Sequence, residues 1–278
     1  MKTITLSSLL ATMCVSIATA LAAPAVQDPQ PPVSGTPRPP ETVYEAKVFT
    51  GANGKTLPYR QLSPTDPAAE KRYPLVLFLH GAGNRGVDNK LQLQWVLPVF
   101  ATAENLTKHP CFVIAPQCPI DKRWVEVDWG SASHTMPAEP SGNLALSLEL
   151  IDQAVKTLPV DPSRIYVCGL SMGGYGTWDA ISRRPDFFAA AIPVCGGADL
   201  AQAAKLTKIP IWAFHGGKDP VVKPARTTGM IEAITKAGGH PKMTIYPAVQ
   251  HDSWIQAFND PATLDWLFEQ HRVLVPLR

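Results

Sequence analysis

The chain has 278 residues, 45% of them hydrophobic and 17% charged, which is length and apolar material enough for one large domain with a substantial core. Its 25 Lys and Arg nearly balance its 23 Asp and Glu, and no basic cluster stands out, so composition argues against nucleic-acid or membrane-surface binding. There are no internal repeats, and no Cys-x-x-Cys or His-x-x-x-His pattern calls for a metal, so neither a metal nor another cofactor is expected.

Residues 1–22 read as a secretory signal peptide: Lys2 supplies the positive start, Leu9 to Ala18 an apolar core, and Ala20-Leu21-Ala22 a small-residue cleavage site. Cys14 raises a lipid-attachment alternative, which Met13 disfavours because such sites carry a small residue there. No later stretch reaches the roughly 20 apolar residues that a membrane span needs. A secreted or periplasmic protein without stable membrane insertion is the expectation, with formal charge falling from +2 to +1 once Lys2 is removed. Residues 23–40 follow as a proline-rich linker; such a segment favours extended, solvated polyproline II. The globular domain is then expected over residues 41–278.

Within it, Val43 to Val48 and Leu57 to Leu62 flank Gly51-Ala52-Asn53-Gly54 and suggest a strand pair at a sheet edge. Next come apolar runs at Pro74–Leu79, Cys111–Ala115, Ile165–Cys168, Phe188–Val194 and Ile209–Phe214, with a last strand at Met243–Tyr246. Each run from Pro74 to Phe214 is apolar on both faces, as strands are when helices cover both sides of a parallel sheet. Between them, Leu144, Leu148, Ile151, Val155 and Leu158 share one helical stripe that must end before Pro159 and Asp161-Pro162. A second helix is expected over Lys223 to Ala237, closed by Gly238-Gly239, and a third after the Asp260-Pro261 cap, carrying Leu264, Leu267 and Phe268. This alternation is that of an α/β fold with a mostly parallel sheet.

Four cysteines outlast signal removal: Cys111, Cys118, Cys168 and Cys195. Cys111 and Cys118 flank one strand, and seven extended residues at about 3.3 Å each hold them beyond disulfide reach. Other pairings and a reading as buried apolar side chains both remain open.

The chemistry concentrates at Gly169-Leu170-Ser171-Met172-Gly173, a G-x-S-x-G motif between a strand and a helical pattern starting near Gly174. In that context a sharp turn projects the serine hydroxyl outward, at the strand ends where open α/β sheets meet their ligands. A lone serine is a poor nucleophile and needs a base and an orienting acid. Asp219 sits on the turn after the run ending at Phe214 and is favoured over Asp199, which follows the weaker preceding run. His251 lies in the loop past Tyr246; His80 and His215 precede glycines at strand ends and read as turn formers, while His109, His134, His240 and His271 lack a matching context. Ser171, Asp219 and His251 thus follow the chain order of α/β-hydrolases. For the oxyanion, the backbone N–H groups of Met172 and of Ala82, in the glycine-rich loop His80–Gly86, are the expected donors.

Leu79-His80-Gly81-Ala82-Gly83, the run Asp161 to Trp178, Trp212 to Asp219 and His251-Asp252-Ser253-Trp254 together resemble exported carboxylesterases related to feruloyl esterases, polyhydroxybutyrate depolymerases and dienelactone hydrolases. The resemblance spans about residues 43 to 270. It implies an α/β-hydrolase fold and a serine carboxylesterase whose triad positions match Ser171, Asp219 and His251. One departure is Asn84, where an acidic residue is expected.

The roughly fourteen residues between Val194 and Ile209 leave no room for a cap domain, so the cleft should be open, suiting bulky, phenolic or polymer-linked esters better than a buried lipid chain. Trp124, Trp129 and Trp254 fall in predicted loops and are the candidates for an aromatic substrate platform. A prolyl oligopeptidase-type peptidase shares this catalytic domain but carries a propeller-sized segment before it. A binding module that kept the fold and lost the chemistry is the alternative from another class.

Overall fold

A computed structural model describes residues 1, 41, 43–65 and 70–274; the expected linker, and the signal peptide apart from Met1, lie outside the described residues. In chain order the strands are β1 (Glu45–Thr50), β2 (Thr56–Leu62), β3 (Tyr73–Leu79), β4 (Phe112–Pro116), β5 (Val160–Leu170), β6 (Ala190–Val194), β7 (Trp212–Gly216) and β8 (Lys242–Tyr246). The helices are α1 (Leu97–Phe100), α2 (Ala103–Lys108), α3 (Gly142–Thr157), α4 (Met172–Arg183), α5 (Ala225–Lys236), α6 (Trp254–Asn259) and α7 (Pro261–Glu269). The sheet has the order β1-β2-β4-β3-β5-β6-β7-β8; β1 and β2 pair antiparallel with each other and β2 with β4, and every other pairing is parallel.

Successive residues of β3 and β5 point to opposite faces. Leu75, Leu77, Leu79, Ile165 and Val167 therefore join one apolar core, under α3, α4 and α5, while Val76, Phe78, Tyr166 and Cys168 join a second, under α1, α6 and α7. Among the described residues no helix is long and apolar enough to cross a membrane.

Several boundaries differ from expectation for identifiable reasons. β5 begins five residues early and takes in Asp161-Pro162, because the register with β3 shifts between Tyr73 and Leu75 and a bulge tolerates a proline without an N–H. The Asp161 side chain also accepts from the Ser163 N–H at 2.9 Å and from Arg164 Nε at 2.7 Å, which holds the irregular segment in place. β7 starts at Trp212 rather than Ile209, since Pro210 cannot donate to the ladder. The short helices α1, α2 and α6 were not anticipated, being one or two turns long and too brief to show a period.

The expected caps form as read. The Asp260 side chain accepts from the Ala262 N–H at 3.0 Å. At the end of α5, Gly239 N–H donates to Ile234 O and Gly238 N–H to Thr235 O, a Schellman arrangement with Gly238 at φ +96°. Gly238→Ala is expected to cost about 1 to 2 kcal/mol in urea unfolding, the cost of a Cβ in left-handed backbone; an unaltered midpoint counts against that cap.

Candidate active site

The site starts from a backbone conformation. Ser171, between β5 and α4, has φ +53° and ψ −117°, a region that residues with a Cβ avoid. It is held there by its N–H donating to Val194 O at 2.9 Å and by α4 running hard against β3, so close that a Cβ on Gly173 would overlap the Leu79 carbonyl oxygen. The result is a serine hydroxyl lifted clear of the strand end at the first turn of a helix.

His251 reaches back to it from the loop after β8. Its Nε2 lies 2.8 Å from Ser171 Oγ, and its Nδ1 lies 2.8 Å from Asp219 Oδ2. A carboxylate only accepts, so Nδ1 carries the proton and Nε2 presents its lone pair to the hydroxyl. Asp219, on the turn after β7, is sealed from solvent at its side chain. Burial pushes its pKa up, but donation from His215 Nε2 at 3.2 Å, from His251 and from the Val222 N–H at 2.9 Å prevails and holds the carboxyl well below its usual range. His215, read from sequence as a turn former, is thus a second ring on the acid; its Nε2 also faces Val222 O at 2.8 Å and its Nδ1 Thr227 Oγ1 at 2.7 Å. Asp199, the competing acid, lies elsewhere: it caps the 3-10 helix Leu200–Leu206 and accepts from the Met136 N–H at 3.0 Å.

Cys195, one residue past β6 at φ +40°, has its sulfur within 4.8 Å of Asp219 and His251 ligand atoms, and these three form a potential metal group among the described residues. The Asp219 and His251 atoms are already hydrogen-bonded to one another, and burial raises the pKa of the Cys195 thiol. All four expected mature cysteines are free and buried; burial pushes Cys111 and Cys118 up to about 12.

Met172 and Ala82 are each the first residue of a helical turn, where an N–H has no intrahelical acceptor. The two turns adjoin: a Cβ on Gly81 would stand 3.7 Å from Ser171 Cβ. Asn84, the departure from the expected acid, is 3% exposed, and its amide donates to Leu91 O at 2.9 Å and Gln94 Oε1 at 3.1 Å. A carboxylate there would face two acceptors, so an amide suits this loop and an acid does not.

The expected aromatic platform loses Trp124. Trp124 is completely buried: its Nε1 donates to His80 O at 3.0 Å and its ring stands edge-on to His80, so it braces the core rather than meeting substrate. Trp129 is half-buried beneath the Arg123 guanidinium, 4.4 Å from its ring centre, and its carbonyl accepts from the Tyr175 hydroxyl. Trp254 stands beside the triad, its ring T-shaped to His251 at 5.4 Å, but it opens α6 instead of lying in a loop. Its partner ring is Trp95, at 6.3 Å, a residue that no sequence signal marks, since a tryptophan at φ +70° leaves no trace in composition or period.

A serine on a strained strand-to-helix turn, followed by an acid after β7 and a histidine after β8, on this strand order, defines an α/β-hydrolase. The phospholipase/carboxylesterase family model matches residues 63–263, and the chain belongs to that family. Among curated relatives, it is 26% identical over 215 residues to the putative esterase NocK of Nocardia uniformis subsp. tsuyamanensis, covering 73% of this chain and 57% of that one. It is 34% identical over 160 residues to the bifunctional acetylxylan esterase/xylanase XynS20E of Neocallimastix patriciarum, covering 57% of this chain and 21% of that one. The chain thus spans little more than half of the first relative and a fifth of the second. Among solved structures, a thermostable esterase superposes with TM-score 0.77 at 38% identity, over 83% of this chain and 64% of that one.

Burial also lowers the pKa of His80 from 6.5 to about 4, opposed by its hydrogen bond to Gly81 and aided by the Arg85 charge. The unfolded chain takes up a proton near 6.5 that the folded chain refuses until about 4, so this contribution is complete above 6.5 and drains away as pH falls toward 4. About 3 kcal/mol is at stake. Urea midpoints at pH 7.5 and 4.5 should fall further apart in the wild type than in His80→Asn; equal losses would assign the acid sensitivity to other groups.

Proposed function

We propose that the protein is an exported serine esterase that hydrolyses carboxylic esters through a covalent acyl-enzyme at Ser171. The observation that carries this reading is the single imidazole of His251 bridging Ser171 Oγ and the Asp219 carboxylate at 2.8 Å on each side. As Oγ attacks the ester carbonyl, its proton passes to Nε2, and the imidazolium is stabilised by a carboxylate kept ionised by its donors. The negative oxygen is received by the N–H groups of Met172 and Ala82, each such donor being worth about 3 to 4 kcal/mol in the transition state. His251 then returns the proton to the departing alcohol. Water, deprotonated by the same nitrogen, adds to the acyl carbon and releases the acid and Ser171.

The substrates on this reading are accessible esters, phenolic or polymer-linked. In support, the connection from β6 to β7 carries only the 3-10 helix Leu200–Leu206 where a cap would be inserted, and Trp254 places an aromatic ring beside the base. The name of the acetylxylan relative couples that activity to a polymer-bound acetyl group. Export rests on Lys2, the apolar run from Leu9 and Ala20-Leu21-Ala22.

Ser171→Ala is expected to abolish p-nitrophenyl acetate hydrolysis, by roughly 10⁴-fold or more in kcat, and to block fluorophosphonate labelling; full turnover in that variant refutes the nucleophile, and an unlabelled wild type would leave only a binding module. Rates on acetyl, butyryl, feruloyl and hydroxybutyrate esters then rank the acyl groups. For export, the mass of the protein recovered outside the cytoplasm should match a chain starting at Ala23, and recovery of the full-length chain inside the cell alone overturns the leader.

A further inference from the structure

The His80 ring is 1% exposed and lies outside the triad, yet both its nitrogens are engaged at the loop that borders Ser171. Nδ1 is 2.7 Å from Gly81 O, and Nε2 accepts from the Cys118 N–H at 3.0 Å. A carbonyl only accepts and a backbone N–H only donates, so the ring is neutral with its proton on Nδ1. Its own carbonyl is held in turn by Trp124 Nε1 at 3.0 Å. Gly81 C=O and Ala82 N–H belong to one peptide unit, planar and trans, in which oxygen and hydrogen point in opposite directions. Whatever fixes the Gly81 oxygen therefore aims the Ala82 hydrogen. Two donors fix that oxygen: the Asn84 N–H at 3.1 Å, which closes the 3-10 turn, and His80 Nδ1–H.

We infer that His80 is a positioning residue for the oxyanion hole: by donating from Nδ1 to Gly81 O while Cys118 N–H anchors Nε2, it orients the peptide plane whose N–H, that of Ala82, meets the developing oxyanion. This rests on the serine-esterase reading above and extends it to a residue that touches neither substrate nor triad. Electronic demand explains the neutral ring. An imidazolium would carry a second N–H at Nε2, pointed at the Cys118 N–H, and the anchor would break. The burial that keeps the ring neutral down to about pH 4 thus keeps the peptide aimed over the working range of an esterase.

The two halves of the ring separate by substitution. Asparagine places an amide donor near Nδ1 and nothing at Nε2; glutamine places an acceptor near Nε2 and no donor at Nδ1. His80→Gln is expected to lower kcat about 100-fold, as loss of an oxyanion donor does, with KM within about twofold and the affinity for a boronate that mimics the tetrahedral intermediate weakened in parallel with kcat/KM. His80→Asn should keep kcat within about fivefold of wild type, since one hydrogen bond in a crowded loop is retained. A ring that merely supports the fold gives the reverse: Asn as impaired as Gln, or losses that follow thermal stability and leave the boronate ratio unchanged, and either overturns the role of His80 while S171A inactivity leaves the serine reading standing. Persisting turnover in S171A overturns both. Should neither His80 variant fold, the ring ¹⁵N shifts of His80 in the wild type decide: protonated Nδ1 with bare Nε2 supports the assignment, and the opposite tautomer overturns it.

Discussion

The left-handed backbone of Ser171 is the constraint from which the rest of the site follows. Such a conformation in a residue with a Cβ costs of order 1–3 kcal/mol and persists only where its surroundings over-determine it. Here they do: β5 lies at the middle of the sheet between β3 and β6, its side chains feed two separate cores, and α4 is pressed onto β3 with only a glycine at the point of contact. Relaxing the turn would require the helix to withdraw from the sheet and open the core that Met172, Tyr175, Trp178 and Ile181 help fill. The strain is held by burial that the fold secures anyway.

Hydrogen-bond direction then does what sterics cannot. Asp219 accepts from Val221, Val222, His215 and His251 and donates to none of them, which places the proton of His251 on the side away from the serine. The same logic runs through His80, where an acceptor on one side and a donor on the other leave a single neutral tautomer. In a buried site an ill-matched pair costs more than a good pair gains, so the sealed His80 ring is committed to one protonation pattern, while His251 keeps Nε2 free to face the serine hydroxyl.

A second requirement is that irregular chain around the site be tied down. Residues 117–141, between β4 and α3, contain neither helix nor strand, yet Trp124, Ser141, Arg183 and Arg226 fasten them. Ser141 Oγ donates to Trp124 O, Arg183 to the carbonyls of Pro137 and Ala138, and Arg226 to Ser131 O and the His134 ring. Two of those anchors stand on helices of the first core. A loop so held acts as a wall, which is why Trp124 within it was claimed by the interior and not by the cleft.

Local chemistry made much of this legible in the chain. The two-faced apolar runs, the stripe on α3, the Asp260 cap, the Gly238 stop and the G-x-S-x-G turn are short-range features, each set by residues within a few positions of one another, and the order Ser171, Asp219, His251 followed from where those features put strand ends. What only the tertiary structure decided were relations among residues far apart: that Trp124 folds under His80, that Trp95 meets Trp254, that His215 shares the acid, that Pro162 finds a bulge in β5 to occupy. Periodicity reports which face of an element is apolar, but it carries no information on which distant group will supply a buried donor with its acceptor, and that matching is settled only when the whole sheet and both of its cores have closed.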